Sequence, residues 1–305
     1  MQEVNQPLVN VIVPSYNAAK FICETLDSVL SQTYSNIELI VVNDGSKDDT
    51  DAVVRAYQSA KNDPRLSYFS KLNTGVSDTR NFGFARSRGE YVAFLDADDL
   101  FLPNNLAEKV KALDAAPSAG MAYSASICFG ESGIIRIQEA SIPTGNALEP
   151  LIDFTAGLNS PSSNLIRRRC FEAVGGFDVK LSTSADWEFW VRLSESWDVV
   201  ALSEPLIKYR VHGAQMHLNI ALMERDMNYA MLKLRKLGLF RGPGKFRKCL
   251  AKHAFMMSGS FYRHSRRVDK SLAYLLLSLA CDPAQTILKV RSLGLRMLHS
   301  VLQKG

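Results

Sequence analysis

Three carboxylates within four residues are the most distinctive chemical feature of this sequence. Asp96, Asp98 and Asp99 directly follow the apolar run Tyr91–Leu95, which predicts a buried strand. Carboxylates this close to one another repel unless a cation lies between them. Alternate carboxylates at the end of a strand can converge on one hard divalent cation, which prefers oxygen ligands. The structural alternative is that one of these Asp side chains caps the segment that follows.

Polar residues also end three earlier apolar runs. They occupy the segments Pro14–Asn17, Asn43–Ser46 and Lys71–Asn73. In open α/β sheets the ligand crevice lies at the carboxyl ends of the strands, so these segments predict a binding site. There, Asp44 can accept a hydrogen bond from a nucleotide base, and Tyr16 offers an apolar face. Taken alone, each segment is equally well explained by turn and capping roles.

Four further residues could carry chemistry later in the chain. Arg80 can pair with a phosphate group through two hydrogen bonds, although a single Arg is more often a surface residue. Asp186 opens an amphipathic helix, where a carboxylate is either a general base or a first-turn residue. Arg210 and His212 lie at the end of a late predicted strand, Leu206–Val211. A lone His is otherwise more often a packed or surface residue.

The elements that must position these residues alternate between strands and helices. The first hundred residues predict strands at Val9–Val13, Ile37–Val42, Leu66–Ser70 and Tyr91–Leu95 and helices at Ala18–Ser31, Asp48–Ser59 and Gly75–Ser87. Near-continuous apolar strands that alternate with helices favour an α/β fold with a mostly parallel sheet covered on both faces. A less regular, β-rich region follows over Ala119–Ile137. From about Asn219 onward the chain is predicted to be helical and basic.

Charge is divided unevenly along the 305 residues. Residues 231–305 contain 16 Lys and Arg against two acidic residues, a net charge of +14, whereas residues 1–230 contain 20 against 29, a net charge of −9. Leu288–Leu302 predicts a basic amphipathic helix, which lies on an anionic membrane surface or packs on the rest of the protein. Nucleic-acid binding has no motif to support it.

The sequence also bears on the cellular compartment. It shows no basic and apolar leader, and its longest apolar stretch, Leu272–Cys281, is about half of the ~20 residues that span a bilayer. Its five cysteines have no paired spacing, which is typical of buried, reduced thiols. We therefore expect a cytoplasmic protein, peripheral on the inner face of the membrane if the basic helix binds there.

In combination, the order and spacing of these segments resemble the family 2 glycosyltransferases over the first third of the chain. The matching motifs are Val11–Asn17, Val41–Ser46, Asn73–Gly75 with Arg80–Asn81, and Leu95–Asp99. Further along, Gly175–Asp178 and Ala185–Leu193 resemble the GGFD and xED elements of that family. The resemblance implies the GT-A fold, a Rossmann-like nucleotide-sugar-binding domain, followed here by a C-terminal α-helical extension.

The resemblance also implies roles for the candidate residues. Asp44 would hold the base, and Asp96 and Asp98 would hold Mn²⁺ or Mg²⁺ on the donor diphosphate, with His212 as a further ligand. Asp186 would be the general base that takes the proton of the acceptor hydroxyl during in-line attack on the anomeric carbon. The donor-binding residues carried over are Pro14, Tyr16, Asn17, Asp44, Asn73, Gly75, Arg80, Asp96, Ala97 and Arg210.

This chain departs from the family pattern at one place in the xED element. The family often has an acid directly before the key Asp, and this chain has Ala185 there. Glu188 is a rival general base because it is near Asp186 in sequence. It points elsewhere on a helix, however, which counts against it. The family transfers with inversion through a single displacement, so no covalent nucleophile is expected.

We therefore expect an inverting, metal-dependent hexosyl- or N-acetylhexosaminyl-transferase. Its donor would be a nucleotide diphosphate sugar, a UDP-sugar by resemblance, and its acceptor a glycan or lipid-linked hydroxyl in cell-surface polysaccharide or glycolipid synthesis. The catalytic domain would occupy residues 1–218, with a donor half (1–105) and an acceptor half (106–218), before a basic helical extension (219–305).

Three alternatives belong to other classes. One is a non-catalytic nucleotide-sugar binder or scaffold, for which the missing acid at Ala185 leaves an opening. Another is a phosphotransferase of the haloacid dehalogenase type, which needs its DxD motif near the start of the fold, whereas here the motif follows the fourth strand. A nicotinamide dehydrogenase is disfavoured because no GxGxxG follows the first strand.

Overall fold

The structure, a computed structural model, describes residues 6–213 and 215–302, without the side chains of residues 217 and 293–302. Its strands are β1 Val9–Ser15, β2 Ile37–Asp44, β3 Leu66–Lys71, β4 Tyr91–Phe94, β5 Leu100–Phe101, β6 Ala119–Gly130, β7 Gly133–Gln138, β8 Asn164–Arg167 and β9 Asp198–Arg210. Its helices are α1 Ile22–Leu30, α2 Thr50–Lys61, α3 Val76–Phe84, α4 Asn105–Asp114, α5 Leu148–Ile152, α6 Arg168–Val174, α7 Ala185–Ser194, α8 Ile220–Lys236, α9 Lys245–Ser260, α10 Val268–Cys281 and α11 Pro283–Leu302.

The strands of the described residues form one sheet in the order β3-β2-β1-β4-β8-β6-β9-β5, with β7 paired to β6. Strands β1 to β4 pair in parallel, as predicted for the first hundred residues. Strand β8 runs antiparallel between β4 and β6, and β6 and β9 pair in parallel beyond it. The fold is therefore α/β, as predicted, but its sheet is parallel in the first half and mixed in the second.

Apolar sequence explains why the first half folds as it does. Every residue of β1 is buried, as expected for a strand that helices cover on both faces. Helix α1 buries Ile22, Leu26 and Val29, which recur at intervals of three and four residues. Helix α1 starts later than the predicted Ala18, because residues 18–21 form a turn in which Ala18 O accepts the N–H groups of Phe21 and Ile22.

A buried arginine joins the two halves of the sheet. Arg167, the last residue of β8, donates to Ala119 O at 3.0 Å, to the Tyr91 hydroxyl at 3.0 Å and to Leu113 O at 2.7 Å. These partners lie on β6, β4 and α4, and Arg167 is 9% exposed. One guanidinium therefore binds acceptors on three different elements of the fold.

A second compact unit contains Ile152–Thr155 and the helices from α8 onward, while the first contains the residues up to Leu151 together with Ala156–Gln215. Ile220, Met257 and Phe261 form a small core of the helical unit. The predicted amphipathic segment Leu288–Leu302 falls on α11, and part of its side chains lies outside the described residues. Among the described helices, none is both long and apolar enough to cross a membrane. The predicted domain limits stay predictions.

Replacement of Arg167 by Met should destabilise the protein. It breaks three buried hydrogen bonds, although Leu113 O still accepts Ala116 N–H and the Tyr91 hydroxyl still donates to Asp114, so we expect the free energy of unfolding to fall by about 2 kcal/mol or more. Equilibrium urea unfolding measures this loss. Arg169→Met is the matched control, because Arg169 is exposed and donates to Pro117 O. A loss no larger than that of Arg169→Met would contradict this account.

Candidate active site

The carboxyl ends of β1, β2 and β4 lie side by side because β1 pairs in parallel with both neighbours. Ser15 at the end of β1 faces Asn43 of β2 in the strand register. The segments that carry Tyr16, Asp44 and Asp96 therefore meet at one edge of the sheet. This is the edge at which the sequence predicts a ligand crevice.

Hydrogen bonds join the loops that follow β1 and β2. Asn17 has a left-handed φ of 51°, its Oδ1 accepts Lys47 N–H at 2.8 Å, and its own N–H donates to Ser46 Oγ at 3.0 Å. The neighbouring ring of Tyr16 keeps 45% of its surface exposed. Pro14 is buried inside β1. Of the predicted donor-binding residues in this segment, Tyr16 is therefore accessible to a ligand, whereas the Pro14 side chain is buried.

Asp44, at the end of β2, organises the loop that follows β3. Its Oδ1 accepts hydrogen bonds from Lys71 Nζ at 2.5 Å and Thr74 N–H at 2.9 Å, and its Oδ2 accepts Gly75 N–H at 2.9 Å. Asp44 is 4% exposed. The predicted donor residue Asn73 lies exposed in the same loop. The structure thus brings together Asp44 and the 73–75 segment, which both contain predicted donor-binding residues.

A glycine permits the close approach of these two loops. Gly45 has a φ of 67°, and a Cβ atom there would lie 2.8 Å from Asn73 N. That distance is too short for a side chain, and the left-handed backbone conformation also disfavours any other residue. Gly45 therefore keeps the loop after β3 against the end of β2.

Arg80 of α3 pairs with the first carboxylate of the acidic motif. Its Nη2 donates to Asp96 Oδ1 at 2.7 Å, and its guanidinium lies 5.3 Å from the centre of the Phe177 ring. Arg80 is 4% exposed, and its Nε has no hydrogen-bond partner. The side chain predicted to bind phosphate thus holds a predicted metal ligand, and its buried Nε–H is unpaired.

Buried hydroxyl groups fix the turn that carries the carboxylates. Ser162 Oγ accepts Asp96 N–H at 3.1 Å and donates to Asp99 Oδ2 at 2.6 Å. Thr25 Oγ1 lies 3.0 Å from the carbonyl oxygens of Ala97 and Asp99. The Asp99 side chain is buried and cannot serve as an open ligand.

His212 reaches the second carboxylate of the motif from the other end of the unit. Its Nε2 lies 2.8 Å from Asp98 Oδ2, although 114 residues separate the two. Both side chains remain partly exposed, at 23% and 27%. The Gln215 side chain donates to Arg210 O at 2.8 Å and accepts His212 N–H at 3.3 Å, which closes the loop that carries His212. The structure thus brings together Asp98 and His212, two of the predicted metal ligands.

Arg210 anchors this arrangement. Its backbone N–H donates to Asp99 Oδ1 at 2.9 Å and its Nε to Asp98 O at 2.8 Å. The guanidinium lies between the rings of Phe21 and Phe129, at 4.7 and 4.5 Å from their centres. Arg210, one of the predicted donor-binding residues, is therefore engaged in fixing the acidic turn.

The site concentrates negative charge. Burial, and then repulsion from Asp96, raises the pKa of Asp98, although the hydrogen bond with His212 opposes the rise. Burial, followed by repulsion from Asp98 and Asp96, raises the pKa of Asp99 well above its usual range. Burial and mutual repulsion both disfavour the charged carboxylates here. A bound cation would relieve this repulsion.

The residues present fit a divalent cation whose remaining ligands come from a substrate and from water. Within the described ranges, no three His, Cys, Asp or Glu side chains converge on a ready-made metal centre. Asp98 Oδ2 and His212 Nε2 are 2.8 Å apart, close to the roughly 3 Å between adjacent ligands that each lie ~2.1 Å from an octahedral ion. Ions of this kind commonly take one or two protein ligands together with substrate phosphates and waters.

Asp186, in the first turn of α7, has the character of a general base. Its side chain is partly buried, and its Oδ1 accepts Trp187 N–H at 2.7 Å. Burial raises the pKa of Asp186 to about 6, while the positive charge of Arg80 opposes the rise and Asp96 adds to it. Arg80, which pairs with Asp96, therefore also lies close enough to Asp186 to affect its pKa.

Glu188, the rival base, is bound into the scaffold. It is fully buried, and its two oxygens accept Arg192 Nε at 2.7 Å and Nη2 at 2.8 Å. Arg192 also donates to the carbonyl oxygens of Val174 and Gly176. This ion pair fastens α7 to the Gly175-Gly176 turn, and both Glu188 oxygens are occupied. The geometry thus favours Asp186 as the base.

The Gly175-Gly176 turn is also attached to α3. Asn81 Nδ2 donates to Phe177 O at 2.8 Å, and Asn81 Oδ1 accepts Phe177 N–H at 3.0 Å. Gly176 has a φ of 74°, and a Cβ atom there would lie 2.8 Å from Asn81 Oδ1. The Asn81 side chain therefore binds the backbone of Phe177 and joins α3 to the Gly175-Gly176 turn.

Sequence reasoning missed three residues that shape the site. Ser162 lies in a loop without periodicity, so no sequence signal identifies it. Gln215 follows the last strand and resembles an ordinary loop residue. Lys71 stands at a predicted strand end, but a Lys there has no distinctive pattern until its contact with Asp44 is seen.

Comparison with known proteins gives a consistent family. Residues 10–175 match the family described as Glycosyl transferase family 2. An uncharacterized glycosyltransferase of Rickettsia bellii is 29% identical over 281 residues, which are 89% of this chain and 40% of that protein. An uncharacterized glycosyltransferase of Haemophilus influenzae is 34% identical over 223 residues, which are 69% of this chain and 68% of that protein. This chain thus spans about two fifths of the length of the Rickettsia bellii protein.

Two solved structures share the fold. S. aureus TarS 1-349 in complex with UDP-GlcNAc has a TM-score of 0.57 and 19% identity, covering 89% of this chain and 72% of that one. The mannosyltransferase PcManGT of Pyrobaculum calidifontis, in complex with GDP-Man and Mn²⁺, has a TM-score of 0.62 and 19% identity, covering 97% and 81%. At this identity the likeness establishes the fold alone.

Replacement of Arg80 by Met should raise the pKa of Asp186 above about 6, because it removes a positive charge that favours the carboxylate. A pH titration of the Asp186 carboxyl carbon by NMR measures the change directly. Arg88→Met removes the same charge from an exposed position and should leave the titration in place. An Asp186 titration that is the same in both variants would show that Arg80 does not act on this carboxyl.

Proposed function

The chain belongs to glycosyl transferase family 2, and we propose that it moves a sugar from a nucleotide diphosphate donor, a UDP-sugar, to an acceptor hydroxyl. The observation that carries this proposal is the meeting of Asp98 and His212 at the sheet edge, 2.8 Å apart. Such a transfer requires ligands for a cation, a contact for the nucleotide base and a general base. Asp98 with His212, Asp44 and Asp186 are the candidates for these three roles. The family match removes the haloacid-dehalogenase alternative.

On the donor side, Asp44 receives the base, with Tyr16 offering an aromatic face beside it. Asp98 and His212 would hold Mn²⁺ or Mg²⁺, and Asp96, fixed by Arg80, completes the acidic motif. A divalent cation held there would supply positive charge against the negative charge of the departing diphosphate. At ~4 Å and an effective dielectric near 20, each pair of unit charges contributes about 4 kcal/mol. The Mn²⁺ in the PcManGT complex supports this assignment.

On the acceptor side, Asp186 takes the proton of the attacking hydroxyl. The oxygen then forms its bond to the anomeric carbon from the face opposite the diphosphate, whose bond breaks with its electron pair, so the configuration inverts. A base with a pKa of about 6 is mostly ionised at neutral pH and still basic enough to accept a proton. No covalent intermediate is needed. Glu188 and Arg192 keep α7 in place for this step.

The acceptor and the location of the protein belong to the same proposal. The net charge of +14 over residues 231–305 supports a role for the helices after residue 218 on an anionic membrane surface. A lipid-linked or glycan acceptor in cell-surface polysaccharide or glycolipid synthesis, on the cytoplasmic side, fits such a location. The UDP-GlcNAc in the TarS complex favours a hexosyl or N-acetylhexosaminyl donor. Residues 1–218 would form the catalytic domain in this scheme.

A panel of nucleotide sugars, tested with and without Mn²⁺, checks the proposal. We expect one UDP-sugar to bind only with metal, Asp98→Ala to abolish that binding, and Asp186→Asn to bind the donor but turn over about 10²- to 10⁴-fold more slowly. Isothermal titration calorimetry and UDP release are the measurements. Asp269→Asn, in an exposed ion pair with Arg267, is the matched control and should behave like the wild type. Failure of every nucleotide sugar to bind in both conditions sinks the proposal.

The rate should depend on the ionisation of Asp186. Below a pH of about 6 the carboxyl is protonated and cannot accept a proton, so kcat should fall about tenfold for each further pH unit. Above that pH the carboxylate is the main form and the rate should level off. Initial rates at saturating donor over about pH 5 to 8 measure this limb. A rate that stays flat down to about pH 5 would mean that another group is the base.

A further inference from the structure

The carboxylate of Asp44 is almost fully used by the protein itself. A carboxylate has about four lone-pair positions that can accept hydrogen bonds. Three of them are taken in this structure. Lys71 Nζ and Thr74 N–H occupy Oδ1, at 2.5 and 2.9 Å, and Gly75 N–H occupies Oδ2 at 2.9 Å. One acceptor position therefore remains, and it lies on Oδ2.

The Lys71 side chain is held where it closes Oδ1. Its Nζ also lies 3.1 Å from Asp78 Oδ2 and donates to the Thr74 hydroxyl. The side chain is 12% exposed. Two carboxylates and a hydroxyl group thus fix the ammonium, so it does not simply rotate away when a ligand arrives. Among the three donors to Asp44, Lys71 is the one that a substitution can remove, because the other two are backbone groups.

The number of open acceptor positions matters for the base of a nucleotide. Guanine presents two adjacent N–H donors, on N1 and on the 2-amino group, which a carboxylate matches by accepting on both oxygens. Uracil and thymine present a single N–H between two carbonyl oxygens. Cytosine presents a ring nitrogen lone pair at that position, which a carboxylate repels. A carboxylate with one open position on one oxygen therefore matches uracil or thymine.

We propose that Lys71 is a specificity-determining residue, which closes one oxygen of Asp44 and so restricts the donor to a base with a single N–H between two carbonyl groups. The inference rests on the proposed function, because it requires that Asp44 contacts the base. It goes further by assigning the choice between a uridine and a guanosine donor to a side chain outside the recognised motifs. Both kinds of donor occur among proteins of this fold.

Binding of nucleoside diphosphates tests the inference. Calorimetry with UDP, CDP, GDP and IDP in the presence of Mn²⁺ should show that the wild type binds UDP at least tenfold more tightly than CDP or GDP. Lys71→Met should reduce the preference for UDP over GDP at least tenfold and keep the preference for UDP over CDP. Lys71→Arg, which still donates to Asp44, should retain both preferences. Lys111→Met, which removes an exposed charge elsewhere, is the matched control.

The wild type alone provides a second measurement if Lys71→Met does not fold. IDP differs from GDP by the missing 2-amino group, so it presents one N–H and should bind more tightly than GDP. The inference is overturned if IDP binds no better than GDP, or if folded Lys71→Met has the UDP-to-GDP preference of the wild type. If none of the four diphosphates binds any variant or the wild type, the proposed function itself fails. Equal binding of UDP and GDP by the wild type leaves the donor site standing and removes the role of Lys71.

Discussion

Repulsion among three carboxylates in one turn is the constraint that the rest of the site satisfies. Each carboxylate of the acidic motif has its own partner from a different part of the chain. Asp96 pairs with Arg80 of α3, and Asp98 pairs with His212 after β9. Asp99 is buried and takes its hydrogen bonds from Ser162 and the backbone of Arg210 at the end of β9. The partners come from both halves of the sheet, so the acidic turn can hold its shape only in the folded protein.

Arg80 gives this arrangement a second consequence, because it couples the donor side to the acceptor side. Its guanidinium pairs with Asp96 and lowers the pKa of Asp186 against the effect of burial. The side-chain amide of Asn81, next to Arg80, also binds the backbone of Phe177 and so holds the Gly175-Gly176 turn that Arg192 ties to α7. The geometry of the base and the geometry of the acidic motif therefore depend on the same short helix. A shift of α3 would disturb both at once.

The sequence predicted the first half of the fold well for a physical reason. Strands buried on both faces are apolar throughout, and the polar residues that end them stand out, so β1 to β4 and the site at their ends could be predicted. Strand β8 is four residues long, and its antiparallel insertion depends on Arg167 finding acceptors on three other elements. Such long-range pairing leaves no local pattern. The same holds for the partners of Arg80 and Arg210, which the sequence does not reveal.

The use of these two arginines bears on how the site can meet a diphosphate. Arg210 is held between two rings and bound to Glu24 and to the acidic turn, and Arg80 pairs with Asp96. Positive charge that the motif would offer to phosphate is thus already opposed by protein carboxylates, although the buried Nε–H of Arg80 is unpaired. A diphosphate entering this edge would meet Asp98 as well. A cation held by Asp98 and His212 would supply the positive charge that the paired arginines do not offer, which is the physical basis of the proposed metal dependence.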